Sequence, residues 1–81
     1  MSTSPDIRTD DRIVHTLSRW LARHISDDEL RAELERAKLD DLAPEQSEAV
    51  LELLNELDVG TDRAGLEMIA RETMEAVALG G

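Results

Sequence analysis

An 81-residue chain with 41% hydrophobic residues and no cysteine is long enough for one domain and excludes a disulfide framework, a cysteine-based zinc site and thiol redox chemistry. Nineteen acidic against nine basic residues give a formal net charge of −10, which repels nucleic acid and anionic membranes and favours solubility or a basic partner. Trp20 is the one aromatic residue, and a composition led by Leu, Ala, Glu and Arg excludes a strand-rich fold in favour of helices.

Residues 1–9 are polar and contain Pro5; they are expected to form a flexible tail, with residues 10–81 as a single helical domain. Met1–Asp6 has neither a basic start nor an apolar run, so no secretory leader is expected and a cytoplasmic protein is the default. Asp10 or Asp11 can cap a first helix reaching to about Ile25. Wound at about 100° per residue, Ile13, Val14, Leu17, Trp20, Leu21 and Ile25 share one face that also takes in His24. Arg12, Arg19 and Arg23 line up opposite, flanked by His15, and Arg8 would join them if the helix began early.

The second helix has a strongly marked start. Ser26-Asp27-Asp28-Glu29 reads as a capping box, with Ile25 and Leu30 placed as a hydrophobic staple. Leu30, Leu34 and Ala37 form a narrow apolar stripe that Leu39 and Leu42 leave, so the helix is expected to end near Lys38 or Leu39. Pro44 suits a first helical position, where its missing N–H costs nothing. It opens a third helix running to about Asp58, with Gly60 as a left-handed C-cap.

The apolar arc of that third helix is wide, roughly 200° through Ala49, Val50, Leu51, Leu53, Leu54 and Leu57. Such an arc marks a helix central to the bundle or one that meets another chain. Its reverse side carries Glu45, Glu48, Glu52 and Glu56. Thr61 or Asp62 opens a fourth helix to about Leu79, with Leu66, Ile69, Ala70, Thr73, Ala76 and Val77 on one face. The Thr73 hydroxyl can bond back to the carbonyl of Ile69. Met68 and Leu79 fall outside the face, and Glu67, Arg71 and Glu75 form a solvent ladder at spacing four. Gly80-Gly81 ends the helix and the chain.

The expected fold is therefore an all-α compact bundle of four short helices. Its expected core is Ile13, Leu17, Trp20, Leu21, Leu30, Leu34, Val50, Leu53, Leu54, Leu57, Leu66, Ile69 and Val77.

Nothing in the chain carries recognisable catalysis. The Glu-x-x-His pairs of a bundle di-iron site are missing, since Arg12 and Leu21 precede His15 and His24 by three. The Asp pairs 10–11, 27–28 and 40–41 sit at helix ends, where capping accounts for them better than a calcium loop does. His24 is read as a partly buried residue helped by a helix C-terminus. No serine sits in a nucleophile elbow, and no glycine-rich loop follows a strand. No catalytic residue, cofactor or metal is expected.

What remains is a small acidic non-enzymatic protein-interaction or regulatory domain, with a homodimer through the third helix as the contact suggested. Leu51, Leu54, Met68 and Leu79 are the candidate interface; the arginine stripe Arg12, Arg19, Arg23 and the acidic stripe Glu45, Glu48, Glu52, Glu56 are candidate charged faces. The partner is a protein or a second copy, with no membrane and with nucleic acid disfavoured. The alternative is a nucleic-acid-related module, acting as a DNA mimic through the glutamates or as a weak binder through the arginines. A further alternative is an atypical acyl or peptidyl carrier protein, a family similar in length, acidity and helix number. Its attachment serine usually sits in an Asp-Ser-Leu setting. Ser26, in His24-Ile25-Ser26-Asp27-Asp28, lacks both the preceding aspartate and the following apolar residue.

Overall fold

A computed structural model describes residues 9–79. They form four α-helices, α1 (Thr9–Leu21), α2 (Asp27–Arg36), α3 (Pro44–Val59) and α4 (Arg63–Leu79), with a 3-10 turn at Leu39–Asp41 between α2 and α3. Of the expected tail 1–9, Thr9 already belongs to α1, and residues 1–8, the contribution of Arg8 and the stop at Gly80-Gly81 lie outside the described residues. The helices pack as a ring in chain order, α4 closing it by lying against both α3 and α1. This is the all-α bundle that the apolar periodicity predicts.

α1 begins at Thr9, so Asp10 and Asp11 stand inside its first turn rather than before it. There their carboxylates complement the positive end of the helix dipole. It also stops four residues short of the expected end. Arg23 takes a left-handed conformation, φ 66°. The N–H of Arg23 donates to the Trp20 carbonyl and that of His24 to the Arg19 carbonyl, the two bonds of a Schellman ending. Such an ending normally advertises itself with glycine, and here an arginine occupies the left-handed position. The chain turns so that Ile25 is buried while His24 is exposed. His24 is thus neither part of an apolar helical face nor partly buried.

The α2 cap is as read from the sequence. Ser26 Oγ accepts from the Glu29 N–H at 3.2 Å, and the Ser26 N–H donates to Glu29 Oε1 at 3.0 Å. α2 ends at Arg36, with Ala37 as its C-cap, slightly before Lys38. Leu39 and Leu42 then pack onto the core from the 3-10 turn. Pro44 occupies the first turn of α3, and Gly60 closes that helix with φ 81°. Asp62 caps α4, its Oδ1 accepting from the Gly65 N–H at 3.1 Å.

The core comprises Ile13, Leu17, Trp20, Ile25, Leu30, Leu34, Val50, Leu53, Leu66, Ala70 and Val77. Leu21, Leu54, Leu57 and Ile69, expected within it, are half-buried and pack on its edge. On α4 the small side chains Ala70 and Thr73 are buried instead, and Ile69 is left at the edge. The Thr73 hydroxyl donates to the Ile69 carbonyl at 2.9 Å, as the sequence predicts, and also lies 3.4 Å from the Ala49 carbonyl.

Gln46 is a buried polar residue that the helical pattern gave no reason to single out. Its Oε1 accepts from the Ala43 N–H at 2.8 Å and its Nε2 donates to the Val77 carbonyl at 2.8 Å. One amide thereby satisfies an orphan donor at the start of α3 and ties it to the far end of α4.

Candidate functional site

The most heavily bonded cluster joins α1, α2 and α4 around Trp20. The indole is fully buried and its Nε1 donates to Asp27 Oδ1 at 2.8 Å. Arg63 stacks its guanidinium over the ring, 3.9 Å from the centroid. It also donates through Nη2 to the Trp20 carbonyl and through Nε to Glu67 Oε2, both at 2.8 Å. The Trp20 carbonyl thus accepts two hydrogen bonds, one from the Arg23 N–H that closes α1 and one from Arg63. Asp27, read from the sequence as part of the capped start of α2, therefore has a second role.

Glu67 is not a rung of a solvent ladder. It is half-buried and turned toward Arg63. The Arg63 hydrogen bond holds its carboxyl below the usual glutamate range against desolvation, with further help from the charges of Arg63, Arg23 and Arg71. Each of these four side chains has a partner within the cluster, which ties α1, α2 and α4 together.

The predicted apolar interface divides. Leu51, Met68 and Leu79 are exposed, at 53%, 62% and 83%, whereas Leu54 is half-buried. At about 100° per residue, Leu51 lies roughly 160° round α3 from Ala49, whose carbonyl faces Thr73 of α4. It lies only about 20° from Asp58 on the same wheel, and Asp58 pairs with Arg31 of α2. Leu51 and Leu54 thus belong to the α2 flank of α3. Met68 and Leu79 share the outer face of α4, about 16 Å apart along the axis, with Glu72 and Glu75 between them in the chain. These four side chains are not one patch. Val59, 66% exposed at the end of α3, is a further exposed apolar residue outside the predicted set.

The charged faces fare differently. Glu45, Glu48 and Glu52 are exposed along α3, and Glu56 is half-buried and accepts a hydrogen bond from Thr61 Oγ1. Arg12 and Arg19 are exposed on α1, but Arg23 has left the stripe with the end of the helix and contributes instead to the field at Glu67. The arginine stripe is therefore a pair.

Arg12 borders an open cleft of about 690 Å³ between α1 and α2, whose walls also include Thr16, Glu33, Arg36 and Lys38. It continues past His15 and Arg19 into a smaller hollow of about 220 Å³. The antiparallel placement of α1 and α2 brings Arg36 and Lys38 opposite Arg12. Spacing within either helix gives no sign of this.

Ser26 is exposed, with its hydroxyl oxygen engaged in the α2 cap. Among the described residues no group of three or more His, Asp or Glu side chains gathers closely enough to hold a metal ion. No described helix is long and apolar enough to cross a membrane. No protein-family model, curated protein or solved structure matches this chain.

Proposed function

We propose that this chain is a non-catalytic, cytoplasmic protein-interaction domain that self-associates through the α2 flank of α3. The observation that carries this reading is Leu51, a leucine in the middle of α3 that folding leaves 53% exposed. Beside it, half-buried Leu54 continues an apolar surface, and the Arg31–Asp58 ion pair forms a charged rim. An apolar centre with a polar rim is the anatomy of a protein contact. Two copies meeting about a twofold axis would bury Leu51 against its counterpart.

Net charge sets the expected salt response. Two bodies of charge −10 repel at low ionic strength, and salt screens that repulsion while leaving apolar burial intact. Molar mass by light scattering should therefore approach twice the chain mass as salt is raised. Leu51→Glu should remain monomeric at every salt with unchanged helicity, because the side chain it replaces is not part of the core. A wild-type chain that stays monomeric at high salt and high concentration would sink self-association.

A further inference from the structure

We infer that the α1–α2 cleft is a docking site for an acidic peptide segment of a partner protein. Four of the nine Lys and Arg residues, Arg12, Arg19, Arg36 and Lys38, line this cleft and its extension. Their compensation is incomplete. Arg36 pairs with Glu33 at 3.3 Å, whereas the side chains of Arg12, Arg19 and Lys38 form no ion pair or hydrogen bond among the described residues. The acids lining the cleft and its extension are two, Glu33, which pairs with Arg36, and Asp41, which accepts from Thr9 Oγ1 at 3.2 Å and keeps its charge, so four cations against two carboxylates leave a formal +2. The cleft is thus a cationic strip on an otherwise acidic body.

Size and spacing select the occupant. A cleft of about 690 Å³ matches a few residues of peptide. Arg12 and Arg19 stand two turns apart, about 10 Å, the distance spanned by about three residues of extended chain. Carboxylates at that spacing meet both guanidiniums. A nucleic acid fits less well. Local attraction extends only about 8–10 Å at moderate salt, and a long polyanion would run beyond the strip past Asp11 and Asp40, both exposed. This site is separate from the α3 contact, so either can fail without the other.

The test is fluorescence anisotropy with the full chain and a fluorescein-labelled nonapeptide carrying four glutamates. The controls are its glutamine counterpart and a labelled nine-nucleotide oligothymidine. Amide shifts of the ¹⁵N-labelled chain locate the contact. The glutamate peptide should bind with salt-sensitive affinity and shift amides of α1 and α2. Arg12→Gln combined with Arg19→Gln should weaken it about three- to tenfold, as expected for two partly screened pairs. Arg36→Gln with Lys38→Gln should act similarly, while Arg71→Gln on α4 and Leu51→Glu on α3 should leave it unchanged. All four variants alter exposed side chains, and helicity checks their folding. Equal binding of the glutamine peptide, equal loss in Arg71→Gln, shifts confined to other helices, tighter binding of the oligonucleotide, or no binding at all would each overturn the assignment.

Discussion

Arg63 lies with its guanidinium 3.9 Å above the Trp20 indole while donating a hydrogen bond to the carbonyl of that same tryptophan. Forty-three residues separate the two, and the contact fastens the start of α4 to the end of α1. Nε1 of Trp20 reaches Asp27 in turn, so three helices meet at one side chain. A core without phenylalanine or tyrosine depends heavily on this junction.

Truncating the pair should be costly and non-additive. Arg63→Met is expected to cost about 1–2 kcal/mol, combining the lost stacking with one lost hydrogen bond to the Trp20 carbonyl, which keeps the Arg23 N–H as its partner. Trp20→Phe keeps most of the apolar area but loses the bond to Asp27, for about 1–2 kcal/mol. A double-mutant cycle by urea denaturation should show a coupling of roughly 0.5–2 kcal/mol. Additive losses would mean that Arg63 gains no more from the indole than from a phenyl ring.

Gln46 offers a sharper test, because its two bonds are buried. Gln46→Leu should cost about 1–3 kcal/mol by leaving the Ala43 N–H and the Val77 carbonyl without their partner. Gln46→Glu should behave differently with pH. A protonated glutamate can still donate to the Val77 carbonyl, whereas the carboxylate faces that oxygen with no donor. Burial without a cation raises the folded-state pKa, so the deficit should open as pH rises through the ordinary glutamate range, about 4.3. Melting temperatures at pH 3.5 and pH 7 compare the two states.

Glu67 carries the opposite sign. Its carboxyl is held below the usual range by the Arg63 hydrogen bond. A folded-state pKa below the unfolded one contributes stability that is complete above about pH 4.3 and fades as pH falls through the lower folded value. Glu67→Gln should therefore be less stable than wild type at pH 7, and the two should converge in acid. A gap that widened on acidification would reverse the assignment.

Two residues with positive φ make a matched pair. Gly60 has φ 81° and nothing within 4 Å of where a Cβ would stand, so Gly60→Ala isolates the backbone cost, about 1 kcal/mol. Arg23 already bears that cost at φ 66°. Arg23→Gly should relieve strain worth up to about 1 kcal/mol, less whatever its attraction to Glu67 contributes. Thermal melts should move in opposite directions for the two variants.

Local signals determined a good part of this protein. Apolar residues recurring at helical spacing fix which face of each helix turns inward. Ser26 with Glu29, Pro44, Gly60 and Asp62 fix where α2, α3 and α4 begin or end, because capping satisfies backbone groups within a few residues. The end of α1 was hidden because Arg23 adopts a conformation that its own identity disfavours, held by bonds to the helix before it. Other features follow from helix placement and were not legible in the chain: Arg63 over Trp20, Gln46 between Ala43 and Val77, and Arg36 and Lys38 facing Arg12 across a cleft. Each joins residues whose separation in sequence has no period, so no helical wheel can pair them. The leucines of α3 stand between these cases. Helical spacing already set Val50 and Leu53 in the core and Leu51 outside it, as found, but it left Leu54 in both sets, and only packing decides that Leu54 lies at the edge of the core.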